Sequence, residues 1–165
     1  MKLFTALDFI RFNKSLTFDS MLIGEHTHTL DEKKRVSLPA KMRKELGETV
    51  VLCRGLDTCI FVYTKTEWEL FVKKLSDLSI MKPESRSFTR FIIGGAVEQN
   101  VDSSGRILLP EHLREFASIT ETSVMVIGMV NRLEIWSQST WGAYKTGVIN
   151  NSVENAALLS DIGMI

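Results

Sequence analysis

Asp31, Arg35, Leu38, Pro39 and Arg43 recur as Asp102, Arg106, Leu109, Pro110 and Arg114, each 71 positions later in a chain of 165 residues. Five matches at one offset mark an internal repeat. Further along the offset becomes 73: Val51 answers to Val124, Gly55 to Gly128 and Trp68 to Trp141, with Tyr63 opposite Trp136 and Phe71 opposite Tyr144. A two-residue insertion in the second copy accounts for the change. A unit of about 45 residues has too little interior to fold well alone, so the two copies must share a core. Such a chain makes within one molecule the pseudo-twofold pair that a homodimer makes from two.

Each copy reads the same way. An extended run, Ile23 to Leu30 or Ala96 to Val101, meets a polar turn carrying Asp and Arg four apart, and a short apolar strand follows. Pro39 and Pro110 fall where a first helical position should be, since proline costs nothing where the amide has no intrahelical partner. The helices predicted there, Pro39 to Leu46 and Pro110 to Phe116, are about two turns long. Next come β-branched and apolar pairs with hairpin character: Thr49 to Arg54 with Ile60 to Tyr63, and Ser123 to Gly128 with Arg132 to Trp136. Each copy closes with an amphipathic helix, in the first of which Trp68, Phe71, Leu75 and Leu78 share one face. Between the copies, Pro83 opens a helical linker that Gly94 and Gly95 end; its Arg86 and Arg90 are read as helix-surface charges, as DNA contacts or as residues of a subunit interface. The tail from Gly147 to Ile165 has no Lys or Arg and only weak periodicity, so loose order is expected there.

Composition narrows the function classes. Apolar residues make up 44% and charged ones 24%, ordinary for a globular domain and far from a disordered one. Asp8, Arg11 and Lys14 break the N-terminal apolar stretch before it reaches signal-peptide or membrane-span length, so a soluble cytosolic protein is expected. Cys53 and Cys59 have neither disulfide-framework nor zinc spacing and are read as small buried residues. His26 and His28 share one face of an extended run, but no third ligand is near in sequence, so no metal and no cofactor are expected. His112 is expected to be exposed. Nothing resembles a Walker loop, a nucleophile elbow or a zincin helix, so the chain reads as a non-enzyme.

Twenty Lys and Arg balance twenty Asp and Glu, so any attraction to nucleic acid must be local. It is local. From Asp31 to Lys44, the six cations Lys33, Lys34, Arg35, Lys41, Arg43 and Lys44 face two acids, a net +4; the matching window of the second copy, Asp102 to Glu115, nets −1. A footprint of this kind is what a DNA-contacting surface presents, and the charge difference marks the first copy as the main source of phosphate attraction.

Met21-Leu-Ile-Gly-Glu25, Leu30-Asp-Glu-Lys-Lys-Arg-Val-Ser-Leu-Pro-Ala-Lys-Met-Arg43 and Asp102-Ser-Ser-Gly-Arg-Ile-Leu-Leu-Pro110 resemble the paired DxxxR motifs of the MraZ family. Glu84 to Phe91 with Gly94 and Ala96, and Asn131-Arg-Leu-Glu-Ile-Trp136, are similar to its linker and second-half signatures, and the likeness runs from about Met21 to Lys145. It implies an α+β fold of tandem AbrB-like βαββ repeats, intertwined as swapped hairpins into a pseudo-dimeric, β-barrel-like core with flanking helices. It also implies ring-shaped homo-oligomers, a nucleoid-associated cytoplasmic location, and repression of division and cell-wall genes through repeated promoter boxes. The first rival is an antitoxin-like AbrB module whose partner is a protein, and the second is a metal-dependent enzyme using His26 and His28.

On this reading the chain divides into an N-terminal extension (1–20), a first repeat (21–82), the linker (83–95), a second repeat (96–146) and the tail (147–165). The repeat begins only after Met21, so the extension is expected to add nothing essential. Lys34 stands where the family has the glycine seen at Gly105, which matters because glycine suits a positive φ. Arg35 can meet a phosphate or read guanine through two hydrogen bonds. Asp31, and Asp102 with it, would clamp the turn through backbone amides or hold the arginine. Lys33, Lys34, Arg43 and Lys44 are candidate phosphate contacts, and Arg106 and Arg114 are their second-copy counterparts.

Overall fold

The computed structural model describes residues 21–161. The expectation for residues 1–20 therefore lies outside the described residues. The first copy runs β1 (Leu22–Thr29), β2 (Arg35–Ser37), α1 (Ala40–Leu46), β3 (Thr49–Arg54), β4 (Ile60–Thr64) and α2 (Lys65–Ser76), and the linker is α3 (Pro83–Ile93). The second runs β5 (Val97–Asn100), β6 (Arg106–Leu108), α4 (Glu111–Phe116), β7 (Ser123–Val130), β8 (Leu133–Ser137), α5 (Gln138–Asn150) and α6 (Ser152–Asp161). The result is a mixed α and β protein with antiparallel sheets and six helices among the described residues.

Strand pairing intertwines the copies. The larger sheet has the order β1-β7-β8-β4-β3-β5, so each copy gives its first strand to the hairpin of the other. β1 runs the full length of β7, from Leu22 opposite Val130 to Thr29 opposite Ser123, and β5 pairs with β3 from Val97 opposite Leu52 to Asn100 opposite Thr49. Two further pairings reveal the symmetry. Phe61 lies opposite Glu134 where β4 meets β8, and Val36 lies opposite Ile107 where β2 meets β6. Each of these residues faces its own repeat equivalent, as a twofold axis requires.

The central strands carry continuous apolar runs because both sheet faces are covered. Val50, Leu52, Ile60, Val62, Val124, Val126, Leu133 and Ile135 turn one way, to meet Val36 and Ile107 of the small ribbon and Met42, Leu46 and Leu113 of the short helices. Cys53, Phe61, Tyr63, Met125, Ile127 and Trp136 turn the other way, under α2, α3 and α5. Aromatic triads repeat across that second layer. Tyr63 sits 6.0 Å from Trp68 and 5.4 Å from Phe71, and Trp136 sits 5.4 Å from Trp141 and 5.0 Å from Tyr144. Hydroxyl caps repeat too: Thr64 accepts from the Glu67 amide and Ser137 from the Thr140 amide, opening α2 and α5.

Several expectations need correction. Pro39 and Pro110 occupy the cap positions, with ψ of 132° and 147°, one place before the first helical residue. Extended ψ values there let each proline turn the chain out of its strand. Leu78 lies beyond α2 and is exposed, because the helix ends at Ser76. The tail is helical through Asp161 rather than loosely ordered, although none of α5 or α6 is fully buried. Cys53 and Cys59 are buried, free thiols; burial pushes the Cys53 thiol up to about 12, and Cys59 donates to the Leu56 carbonyl at 3.0 Å.

Candidate nucleic-acid interface

The β2 and β6 pairing lays the two polar turns side by side, and their aspartates and arginines form one four-residue network. Asp31 Oδ1 accepts the Arg35 amide at 2.9 Å, and Asp102 Oδ1 accepts the Ser104 and Arg106 amides, each at 2.9 Å. Each Oδ2 meets both arginines. Asp31 Oδ2 takes Arg35 Nε at 2.8 Å and Nη2 at 2.7 Å, with Arg106 Nη1 at 3.6 Å. Asp102 Oδ2 takes Arg106 Nε at 2.8 Å and Arg35 Nη1 at 3.4 Å. Backbone amides, then the arginines, hold both carboxyls below the ordinary carboxylate range, so the network stays ionised at neutral pH. The arginine side chains are roughly 30% exposed, enough to be reached from solvent.

Backbone bonds fix the turns. Leu38 N–H donates to the Gly105 carbonyl at 2.9 Å, and Leu109 N–H donates to the Lys34 carbonyl at 3.0 Å. Gly105 has φ +74°, and the matching Lys34 has φ 61°, so lysine adopts the left-handed turn that glycine favours. A Cβ on Gly105 would collide with the guanidinium of Arg43, whose Nε donates to the Leu38 carbonyl at 2.8 Å. Arg114 repeats that bond to Leu109 at 3.0 Å. Arg43 and Arg114 therefore clamp the short helices to the ribbon as well as lining its sides. Gly105→Ala should lower stability by about 1 to 3 kcal/mol, the range for strained backbone. Urea unfolding would check this, and an unchanged midpoint would show that the turn relaxes.

Lys33, Lys34, Lys41 and Lys44 are exposed around the first turn and on α1, and Glu111 and Glu115 are exposed on α4. Both turns share one surface, so the charge imbalance grades that surface from cationic to acidic instead of ranking two separate sites. Arg86 and Arg90 are not brought to it. They lie on α3 in the aromatic layer, where Arg86 donates to the Ile80 and Met81 carbonyls at 2.9 and 3.2 Å. His112 is exposed and meets the Gly95 carbonyl at 3.1 Å. The rings of His26 and His28 are 6.4 Å apart, and no group of three or more His, Cys, Asp or Glu that could hold a metal occurs among the described residues.

Two features escaped the sequence reading. The sharing of each carboxylate by both arginines depends on a register no local pattern prints. Near the twofold axis, Glu134 is buried yet accepts from Arg132 Nη2 at 2.8 Å and Trp136 Nε1 at 3.2 Å, while Arg132 lies over Phe61 at 4.4 Å. The signal for the second was the spacing within Arg132-Leu-Glu134-Ile-Trp136, which puts every polar partner on one strand face.

With this geometry in place, comparison with known proteins is decisive. The family model described as "MraZ protein, putative antitoxin-like" matches twice, over residues 21–91 and 92–158. The chain belongs to the MraZ family. It is 52% identical over 124 residues to "Transcriptional regulator MraZ" of Caldanaerobacter subterraneus subsp. tengcongensis, covering 75% of this chain and 86% of that protein. It is 46% identical to the protein of the same name from Thermoanaerobacter sp. (strain X514), and 43% to that from Halothermothrix orenii. Each of those matches spans 144 residues, 87% of this chain and all of the relative. The two MraZ matches divide the chain inside α3, so the linker helix belongs to the first unit and α6 stands at the corresponding end of the second.

Proposed function

We propose that this MraZ-family chain is a sequence-specific DNA-binding transcriptional regulator that acts without enzymatic chemistry and engages repeated promoter boxes as a ring of identical subunits. The observation that carries the reading is the convergence of Arg35 and Arg106 on one surface flanked by Lys33, Lys34, Lys41 and Lys44. Two-stranded elements fit the major groove, where arginine reads guanine through O6 and N7. The lysines, with Arg43 and Arg114, would meet phosphates. Strand exchange and self-facing registers support an AbrB-like swapped-hairpin barrel as the frame that positions this surface. On this reading the protein works in the cytoplasm on the nucleoid, and repression of division and cell-wall genes is its role. No described helix is long and apolar enough to cross a membrane.

Self-assembly draws on the opposite layer. A groove of about 260 Å³ between α2 and α3 is lined by Leu75, Leu78 and Ile80 and edged by Arg86 and Arg90. Val153 and Leu158 of α6 are 82% and 60% exposed, and the segment around them carries Glu154 and Asp161 with no cation. Helix and groove are different surfaces of the chain, so seating one subunit's α6 in the next subunit's groove gives a heterologous contact, the kind that makes a ring when its rotation closes.

The deciding experiment is selection of bound duplexes from a random pool at moderate salt, followed by a footprint. A short box repeated at even spacing is expected, and a pool without enrichment would reject DNA recognition. An antitoxin-like module would instead leave the pool unchanged and use α6 on another protein. For the lysines, Lys33→Ala with Lys34→Ala should flatten the slope of log affinity against log salt by up to about two units, at roughly 0.9 per phosphate. Sequence preference should survive, and an unaltered slope would place the phosphate contacts elsewhere.

A further inference from the structure

Asp31 and Asp102 contribute two negative charges between the two arginines, so the centre of the surface has no net charge. For a protein that binds a polyanion this placement works against affinity. Each Oδ1 is already occupied by backbone amides, which suffices to shape the turn. The Oδ2 atoms do something additional: each reaches an arginine of both copies, at 2.7 to 2.8 Å within the copy and at 3.4 or 3.6 Å across it. A guanidinium whose Nε edge is held this way cannot swing freely to the nearest phosphate. Its remaining N–H groups point in a direction set by the fold.

We propose that Asp31 and Asp102 are specificity-determining positioning residues that aim Arg35 and Arg106 as one coupled pair and disfavour duplexes that offer them phosphate without a matching base edge. The inference rests on the DNA-binding reading above. Random duplex offers the arginines only phosphate, and reaching it means leaving the carboxylates. A preferred box offers base-edge acceptors where the held arginines already point, so little is lost on binding. Charge at this position thus raises discrimination by lowering the wrong affinity. Sharing of Oδ2 also means that changing either aspartate frees the arginine of its own copy and removes a cross-copy contact from the other.

Asparagine separates the two duties, because its Oδ1 still accepts turn amides while its charge and second acceptor are gone. Full-length wild-type, Asp31→Asn and Asp102→Asn proteins would be titrated with the selected box and with a shuffled duplex of equal composition, across salt. Either variant is expected to bind shuffled duplex about tenfold more tightly, with a salt slope steeper by roughly 0.9 for each added phosphate contact. The ratio of selected to shuffled affinity should fall at least tenfold in both. Without DNA, arginine Nε–H nuclear magnetic resonance signals of both Arg35 and Arg106 should shift in either variant, and melting temperatures would confirm folding. A wild-type protein with no preferred duplex would reject the DNA reading and this inference with it. A wild-type preference kept intact by both variants would overturn the inference alone, as would an Nε–H shift confined to the arginine of the altered copy.

Discussion

Arg35→Ala should weaken binding to the preferred box by about 1 to 3 kcal/mol for each base contact it removes, roughly 5- to 150-fold per subunit engaged. Arg106→Ala should come close to it. Charge counting alone ranks the first copy well above the second, because Lys33, Lys34, Lys41 and Lys44 have no counterparts around Arg106. Geometry removes most of that ranking. Arg106 stands on the same ribbon as Arg35 and shares both aspartates with it, so its loss leaves Asp31 and Asp102 with one arginine between them. In a ring the deficit accumulates over every box occupied at once, since avidity multiplies the individual contacts. Fluorescence anisotropy on a footprinted promoter fragment measures both variants, with thermal melting as the folding control. If well-folded Arg106→Ala bound as wild type while Arg35→Ala failed, the composite surface would be wrong and the first copy alone would carry recognition.

How much of this was legible before the structure depends on the range of the interaction involved. The repeat could be read because Asp31, Arg35 and Pro39 recur at one offset, and hairpins could be read because β-branched runs from Thr49 and Ser123 end at turn residues. Those are local signals, and the strands stand within a few residues of the expected bounds. A clamp by Asp31 on its own turn was equally local, four residues from Arg35. Exchange of β1 and β5 between the copies was not local. It rests on pairings about 100 residues apart for β1 with β7, which only the MraZ resemblance anticipated. The same limit applies to the four-residue network, which exists because Val36 faces Ile107. Arg43 shows a subtler limit. Its sequence position marks a cation near a helix end, whereas its guanidinium packs against Gly105, where a side chain would collide with it. The tail misled because α6 has few polar residues arranged on one side, and weak periodicity is also what a helix awaiting a partner on more than one face would show.

Val153→Asp combined with Leu158→Asp should break the assembly into small species. Fully burying a side chain of this size contributes about 1.5 to 3 kcal/mol, so losing two from every contact lowers each pairwise affinity by roughly two to four powers of ten. Carboxylates added beside Glu154 would not be repaid by Arg86 and Arg90, because seating them requires dehydration in an apolar groove. Ile80→Asp attacks the same contact from the groove side. The two variants differ in what they keep: the first retains a groove without a usable tail, and the second retains a tail without a usable groove. Each alone should therefore run as a monomer in light scattering at tens of micromolar. Mixed in equal amounts they should form a one-to-one complex and stop there, because only one intact contact can form and no second one can extend or close it. That outcome distinguishes a tail-in-groove contact from one in which like surfaces meet, α6 on α6 or groove on groove, where the variants could not complement each other. A wild-type protein that is monomeric at the same concentration would refute self-assembly altogether. Variants that keep the wild-type size would move the contact away from α6 and the groove.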